Sequence, residues 1–173
     1  MAILAPLGYL GPMANDSVTA TFAALVEHTA NKFMRGEVSL AELFALKPRE
    51  VEVIFMMGHY LFNFGKYQPA LKIFSVLTMY KPMVSKYWRA AGAANQALKN
   101  YKEAVVAYNM ALTTNFEDAI SYTYRGESKI SLGEVEDGIA DLKRAVEVGS
   151  KKPFYGRWVN RARTLLSVRG ITV

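Results

Sequence analysis

Residues 58–82 read GHYLFNFGKYQPALKIFSVLTMYKP, and the chain repeats this layout twice. Residues 92–116, 34 positions on, read GAANQALKNYKEAVVAYNMALTTNF, and residues 126–150, another 34 on, read GESKISLGEVEDGIADLKRAVEVGS. Gly58, Gly92 and Gly126 share one position of this pattern, and Gly65, Lys99 and Gly133 share another. Ala70, Ala104 and Gly138 align, as do Phe74, Tyr108 and Leu142. A large apolar residue stands four before each first glycine: Ile54, Trp88 and Tyr122. Apolar residues recur at helical spacing on both sides of a short break, so each copy reads as helix, turn, helix. A glycine inside a helix costs about 1 kcal/mol against alanine. The shared glycine is therefore expected where the two helices approach closely, with Ala70, Ala104 and Gly138 as the small residues facing it.

A 34-residue period with this residue pattern is that of the tetratricopeptide repeat (TPR). The expected fold is all-α: a right-handed TPR superhelix over 51–152, with three helix-turn-helix repeats at 51–84, 85–118 and 119–152. The spacing predicts repeat helices at about 49–63, 67–80, 85–97, 101–114, 119–131 and 135–148. Residues 1–15 read as a flexible tail broken by Pro6, Gly8, Gly11 and Pro12, without the positive start of a secretory signal. Residues 16–47 read as N-terminal helices. Asn15, Asp16 and Ser17 offer a cap there, and Phe22, Leu25, Val26 and Phe33 follow at helical spacing as candidates for a dimer surface. Ser39 and Glu42 form a capping-box pattern. Pro48 disfavours helix at Lys47 and suits the first turn of the next one. Residues 153–170 read as a C-terminal capping helix opened by Pro153, with a stripe of Trp158, Ala162, Leu165 and Leu166 covering the last stacking face.

Composition fits one globular domain: 173 residues, 51% of them apolar, with no cysteine to form a disulfide framework. No apolar run approaches the roughly 18 residues of a membrane span. The formal charge of +6 is unevenly placed. All acidic residues precede Gly149, and the excess consists of Lys151, Lys152, Arg157, Arg161, Arg163 and Arg169. Val53 to Lys102 holds no acid, whereas Glu103 to Gly149 is mainly acidic. A nucleic-acid or acidic-surface binder would use Lys66, Lys72, Lys86, Arg89, Arg157, Arg161 and Arg163. These bases are not interleaved with aromatics as single-strand binders require, and the reading preferred for the tail is that it balances the acidic third repeat.

Catalytic and metal chemistry find little to work with. His28 and His59 are far apart, and there is no cysteine. Gly65-Lys66 has Tyr60 and Tyr67 where a phosphate loop needs glycine and a hydroxyl residue. Glu134, Glu136, Asp137 and Asp141 lack calcium-loop spacing and read as a solvated helix face. The expectation is a protein that is not an enzyme and takes no cofactor and no metal.

A TPR array offers a concave surface built from the first helix of each pair. The second, fifth, ninth, twelfth and thirteenth positions of each repeat should face it. They are Glu52, Phe55, His59, Phe62 and Asn63, then Lys86, Arg89, Ala93, Gln96 and Ala97, then Ile120, Thr123, Glu127, Ile130 and Ser131. Aromatics at one end, a floor of Ala93 and Ala97, and polar groups able to bond a backbone suit an extended peptide with apolar anchors. Phe55 and Phe62 are the expected pocket walls, and Arg89, Gln96 and Glu127 the expected backbone partners.

The order of an amphipathic N-terminal helix, then residues 35–82 and then 87–112, resembles the class II chaperones of bacterial type III secretion. The pieces that carry the resemblance are Phe62 to Tyr67 ahead of Ala70 and Phe74, the exit from Leu77 to Pro82, and Tyr87 through Gln96. It implies a cytoplasmic, ATP-independent bacterial chaperone whose groove holds an extended segment of an apolar translocator. The N-terminal helix would mediate homodimer contacts. Other functions open to the same architecture are a TPR scaffold in a larger complex and the basic-surface binder above.

Overall fold

The structure, a computed structural model, describes Arg35 and residues 47–172. The tail expected over 1–15 and the dimer candidates Phe22, Leu25, Val26 and Phe33 lie outside them. The described residues form α1 (Pro48–Asn63), α2 (Tyr67–Tyr80), α3 (Ser85–Ala97), α4 (Tyr101–Thr114), α5 (Ala119–Ser131), α6 (Val135–Gly149), a 3-10 turn (Pro153–Tyr155) and α7 (Gly156–Ser167). The chain divides into two compact units, Met1–Ile73 and Phe74–Val173, with the boundary inside α2.

In the first unit Pro48 opens α1, and Lys47 ahead of it has extended backbone (φ −71°, ψ 152°). The Lys47 N–H donates to Glu50 Oε2 at 2.7 Å, closing the first turn. Val51, Ile54, Phe55 and Met57 supply the buried stripe of α1.

One turn geometry recurs where α1, α3 and α5 end. The N–H of Lys66 donates to Leu61 O, that of Asn100 to Asn95 O and that of Glu134 to Lys129 O, all at 2.9–3.0 Å. This six-to-one bond needs left-handed backbone one residue earlier, and Gly65, Lys99 and Gly133 have φ of 74°, 64° and 87°. The alignment of these three residues is thus a matter of backbone handedness, and Lys99 holds without glycine a conformation that glycine adopts at little cost.

In the second unit α3 packs on α4 and α5 on α6, while α5 lies on α4 and α7 on α5 and α6. At the α5–α6 crossing a Cβ on Gly126 would sit 2.8 Å from Gly138 O, and one on Gly138 would sit 2.7 Å from Gly126 O. The facing glycines thus let the two backbones touch. Gly92 differs from expectation: the group filling its missing side chain is the Tyr108 ring, 2.6 Å from a Cβ, and not Ala104. Tyr108 is fully buried, and its size moves the contact one turn along α4. The last core joins Ile120, Leu142, Ala145 and Val146 to Tyr155 of the 3-10 turn and Val159, Ala162 and Leu166 of α7. The inward stripe of α7, continued by Tyr155, is therefore Val159, Ala162 and Leu166. Trp158 and Leu165, expected inside it, flank it half-buried and pack against the same core.

Candidate functional site

The lining positions of α3 and α5 are tied together by hydrogen bonds. Arg89 Nη1 donates to Asp118 Oδ2 at 2.8 Å. Asp118, wholly buried, also caps α5 by accepting from the Ile120 N–H (3.2 Å), and accepts from the Ser121 hydroxyl (2.8 Å). The carboxylate thus closes a helix N-terminus and anchors the preceding repeat at once. Two turns on from Arg89, Gln96 takes the Tyr108 hydroxyl on its Oε1 (2.9 Å) and donates through Nε2 to Glu127 Oε2 (3.1 Å). Arg161 of α7 forks onto Glu127, Nε to Oε1 and Nη2 to Oε2, the latter at 3.0 Å. Arg161 also lies 5.7 Å from the Tyr124 ring centre. The Glu127 hydrogen bond raises the Arg161 pKa above its usual value. Burial holds the Tyr108 hydroxyl well above the ordinary tyrosine range.

These bonds revise the expected lining. Arg89, Gln96 and Glu127 have protein partners, so they set the spacing of α3, α5 and α7 as well as facing outward. Ile120 (6% exposed) and Thr123 (0%) are buried, and the Thr123 hydroxyl donates to Ala119 O at 2.8 Å. Ile120 joins the core that α7 closes, so neither residue lines an accessible surface. Ile130 turns toward α6: its Cγ1 lies 2.5 Å from where a Gly138 Cβ would be, so it packs within its own pair. Lys86, half-buried, holds its ammonium 5.5 Å from the Tyr87 ring centre. Ala93 and Ala97 remain partly exposed, and Ser131 fully. On α1, Glu52, His59 and Asn63 are exposed and Phe62 is half-buried, its ring 5.2 Å from that of Tyr67. Phe55 is buried, with its ring edge-on to His59 at 4.5 Å; it backs the exposed imidazole and does not open as a pocket wall.

The acidic cluster of the third repeat is also not one solvated face. Glu134, Glu136 and Asp137 are exposed, but Asp141 is buried. Asp141 accepts from Arg125 Nε at 2.7 Å and pairs with Lys129 at 3.0 Å. Arg125 also donates to Asn109 on α4. Among the six excess bases, Arg161 pairs with Glu127 of the acidic third repeat, and Lys152 with Glu117 at the end of the second. On the other side of α3, a cavity of about 270 Å³ lies between α2 and α4, lined by Trp88, Ala91, Asn95 and Val106 among others. Among the described residues no cluster of three metal-ligating side chains exists, and no helix is long and apolar enough to cross a membrane.

No protein-family profile matches the chain. Low calcium response locus protein H of Yersinia pseudotuberculosis is 22% identical over 134 residues, 78% of this chain and 80% of the relative. The structure of PcrH, a Pseudomonas aeruginosa protein, in complex with the chaperone binding region of PopB aligns with a TM-score of 0.68 at 22% identity. That alignment covers 70% of this chain and 98% of PcrH. The fold is that of the type III secretion translocator chaperones. SycD of Yersinia enterocolitica, solved with a peptide of the translocator YopD, aligns with a TM-score of 0.67 at 21% identity. The match covers 70% of this chain and 93% of SycD, and SycD has also been solved as a dimer.

Proposed function

We propose that the protein is a cytoplasmic bacterial chaperone of type III secretion that holds an extended segment of an apolar translocator, with no chemical step and no nucleotide. The observation that carries this is the fold, which is shared with PcrH, solved with the chaperone binding region of PopB, and with SycD, solved with a peptide of the translocator YopD. The accessible part of the lining face fits such an occupant. Ala93 and Ala97 leave a shallow floor on α3, bordered by Lys86, Arg89, Gln96 and Glu127. On α1 the exposed His59, Glu52 and Asn63 stand with Phe62, backed by Phe55. A membrane-inserting segment aggregates when its apolar surface is exposed, and binding to a preformed surface lowers its free concentration by mass action alone.

The test is co-purification of the client from the native host, identified by mass spectrometry. Ala93→Glu and Phe62→Glu place a charge on the floor and on α1, and each should release the client with the melting curve nearly unmoved. Retention of the client by both variants would refute the assignment of this face. Homodimerisation through Phe22, Leu25, Val26 and Phe33 belongs to the same reading. Light scattering of the full chain against residues 39–173 tests it, and an unchanged oligomeric state on truncation would reject it.

A further inference from the structure

The repeat period continues past residue 152. Adding 34 to Ala119 gives Pro153, so Phe154, Arg157, Arg161, Thr164 and Leu165 take the lining positions of a fourth first helix. Three observations support that register. Lys152 before the 3-10 turn has extended backbone, as Asp118 has before α5. The third and tenth positions are buried in the second and third repeats and here: Tyr87 and Ala94, Ser121 and Ser128, Tyr155 and Ala162; in the first repeat, Val53 and Tyr60 are not. Glu127 and Arg161, both ninth positions, are directly bonded. Arg161 therefore marks the side of α7 that continues the lining face. Residues three or four apart share a helix side, which puts Phe154, Arg157 and Leu165 on it.

Charge on this face is almost fully compensated. Arg89 pairs with Asp118 and Arg161 with Glu127. Arg157 is exposed, and its side chain has no ion pair or hydrogen bond among the described residues. Beside it Phe154 is 73% exposed, with its ring held against Tyr155 (5.2 Å) and Trp158 (5.8 Å). A closing helix also needs a solvated back, and α7 has one in Asn160, Arg163 and Ser167, all exposed. Arg157, three residues before Asn160 and four before Arg161, borders that back on the Arg161 side.

We infer that α7 is a fourth lining helix and not merely a cap, and that Phe154 and Arg157 form a subsite for an apolar residue and a carboxylate of the bound segment. The inference rests on the peptide-binding reading above. In an extended chain, side chains two residues apart point the same way about 6.6 Å from each other. That is close to the rise of one helical turn, about 5.4 Å, so an apolar residue with Asp or Glu two positions away matches the pair.

The three lining helices of the second unit, packed roughly 8–10 Å apart, are crossed by about five to six extended residues. The probes are fluorescein-labelled peptides of that length with the same leucine anchors, carrying Asp or Asn two residues before or after one leucine. Fluorescence anisotropy against the full chain should show one Asp peptide binding about three- to five-fold tighter than its Asn twin. Added salt should shrink the gain, Arg157→Gln should abolish it, and Arg157→Lys or Arg163→Gln should retain it. Equal affinity of every Asp and Asn pair, or a gain that survives Arg157→Gln, overturns the subsite while leaving peptide binding intact. If no peptide binds, or binding ignores Ala93→Glu, the peptide reading itself fails and the subsite falls with it.

Discussion

Replacing Gly126 by alanine adds a methyl group where α5 and α6 already touch. The new Cβ would stand 2.8 Å from Gly138 O and 3.1 Å from Leu142 Cγ. The oxygen belongs to helix backbone and cannot rotate away, so the helices must part by several tenths of an ångström. Alanine gains about 1 kcal/mol of helix preference over glycine. Overpacking a closed interface costs about 1–3 kcal/mol. The net for Gly126→Ala runs from neutral to about 2 kcal/mol destabilising. Gly138→Ala meets Gly126 O at 2.7 Å and Ile130 at 2.5 Å, and should behave alike. Because both methyls press on one contact, the second meets a gap the first has opened. The double variant should therefore lose less than the sum, with a coupling of at least about 0.5 kcal/mol. Gly156→Ala is the control: nothing lies within 4 Å of its Cβ, and it should be neutral or stabilising. Urea unfolding followed by circular dichroism reads all four variants. If Gly126→Ala is more stable than the unsubstituted protein, or the two α5–α6 substitutions add without coupling, the close approach is wrong.

Other consequences follow from the buried polar groups. Asp118→Ala removes a helix cap and leaves Arg89 and the Ser121 hydroxyl without their acceptor, so it should cost about 2–4 kcal/mol, and Asp118→Asn less, in the same urea titration. Tyr108 carries a pKa raised by burial, so its stabilisation is complete below the unfolded tyrosine value of about 10 and is lost as pH climbs from there toward the folded value. Tyr108→Phe should thus cost about 0.5–1.5 kcal/mol at neutral pH, and the gap to wild type should close in melts above pH 10; a gap of constant width would contradict the burial of this hydroxyl.

The period, the helix limits and the paired glycines at Gly126 and Gly138 were legible because each is written within one repeat. The six repeat helices begin and end within a residue of the ranges that spacing predicts, whereas α7 starts three residues after and stops three before the expected 153–170. The lining face was legible only in part. Counting positions treats every first helix alike, yet Ile120 and Thr123 are buried where α7 closes over α5, and α7 resembles a plain cap until its register is extended. Gln96 and Glu127 looked like groups awaiting a ligand because their partners Tyr108 and Arg161 lie 12 and 34 residues away. Asp141 is similar: nothing local shows that Arg125 and Lys129 on the preceding helix will reach it. Hydrophobic spacing gives a residue's side of its own helix, but its exposure depends on whichever helix packs there next.

Cross-linking in the native host reads out whether a client lies along the first helices of the pairs. A photo-reactive phenylalanine analogue would be placed at Ala93 on the proposed floor, or at Asn95 in the cavity on the other side of α3. The Ala93 probe should capture a secreted protein with membrane-inserting segments, and the Asn95 probe should not. Capture at Asn95 with none at Ala93 would contradict that placement of the client.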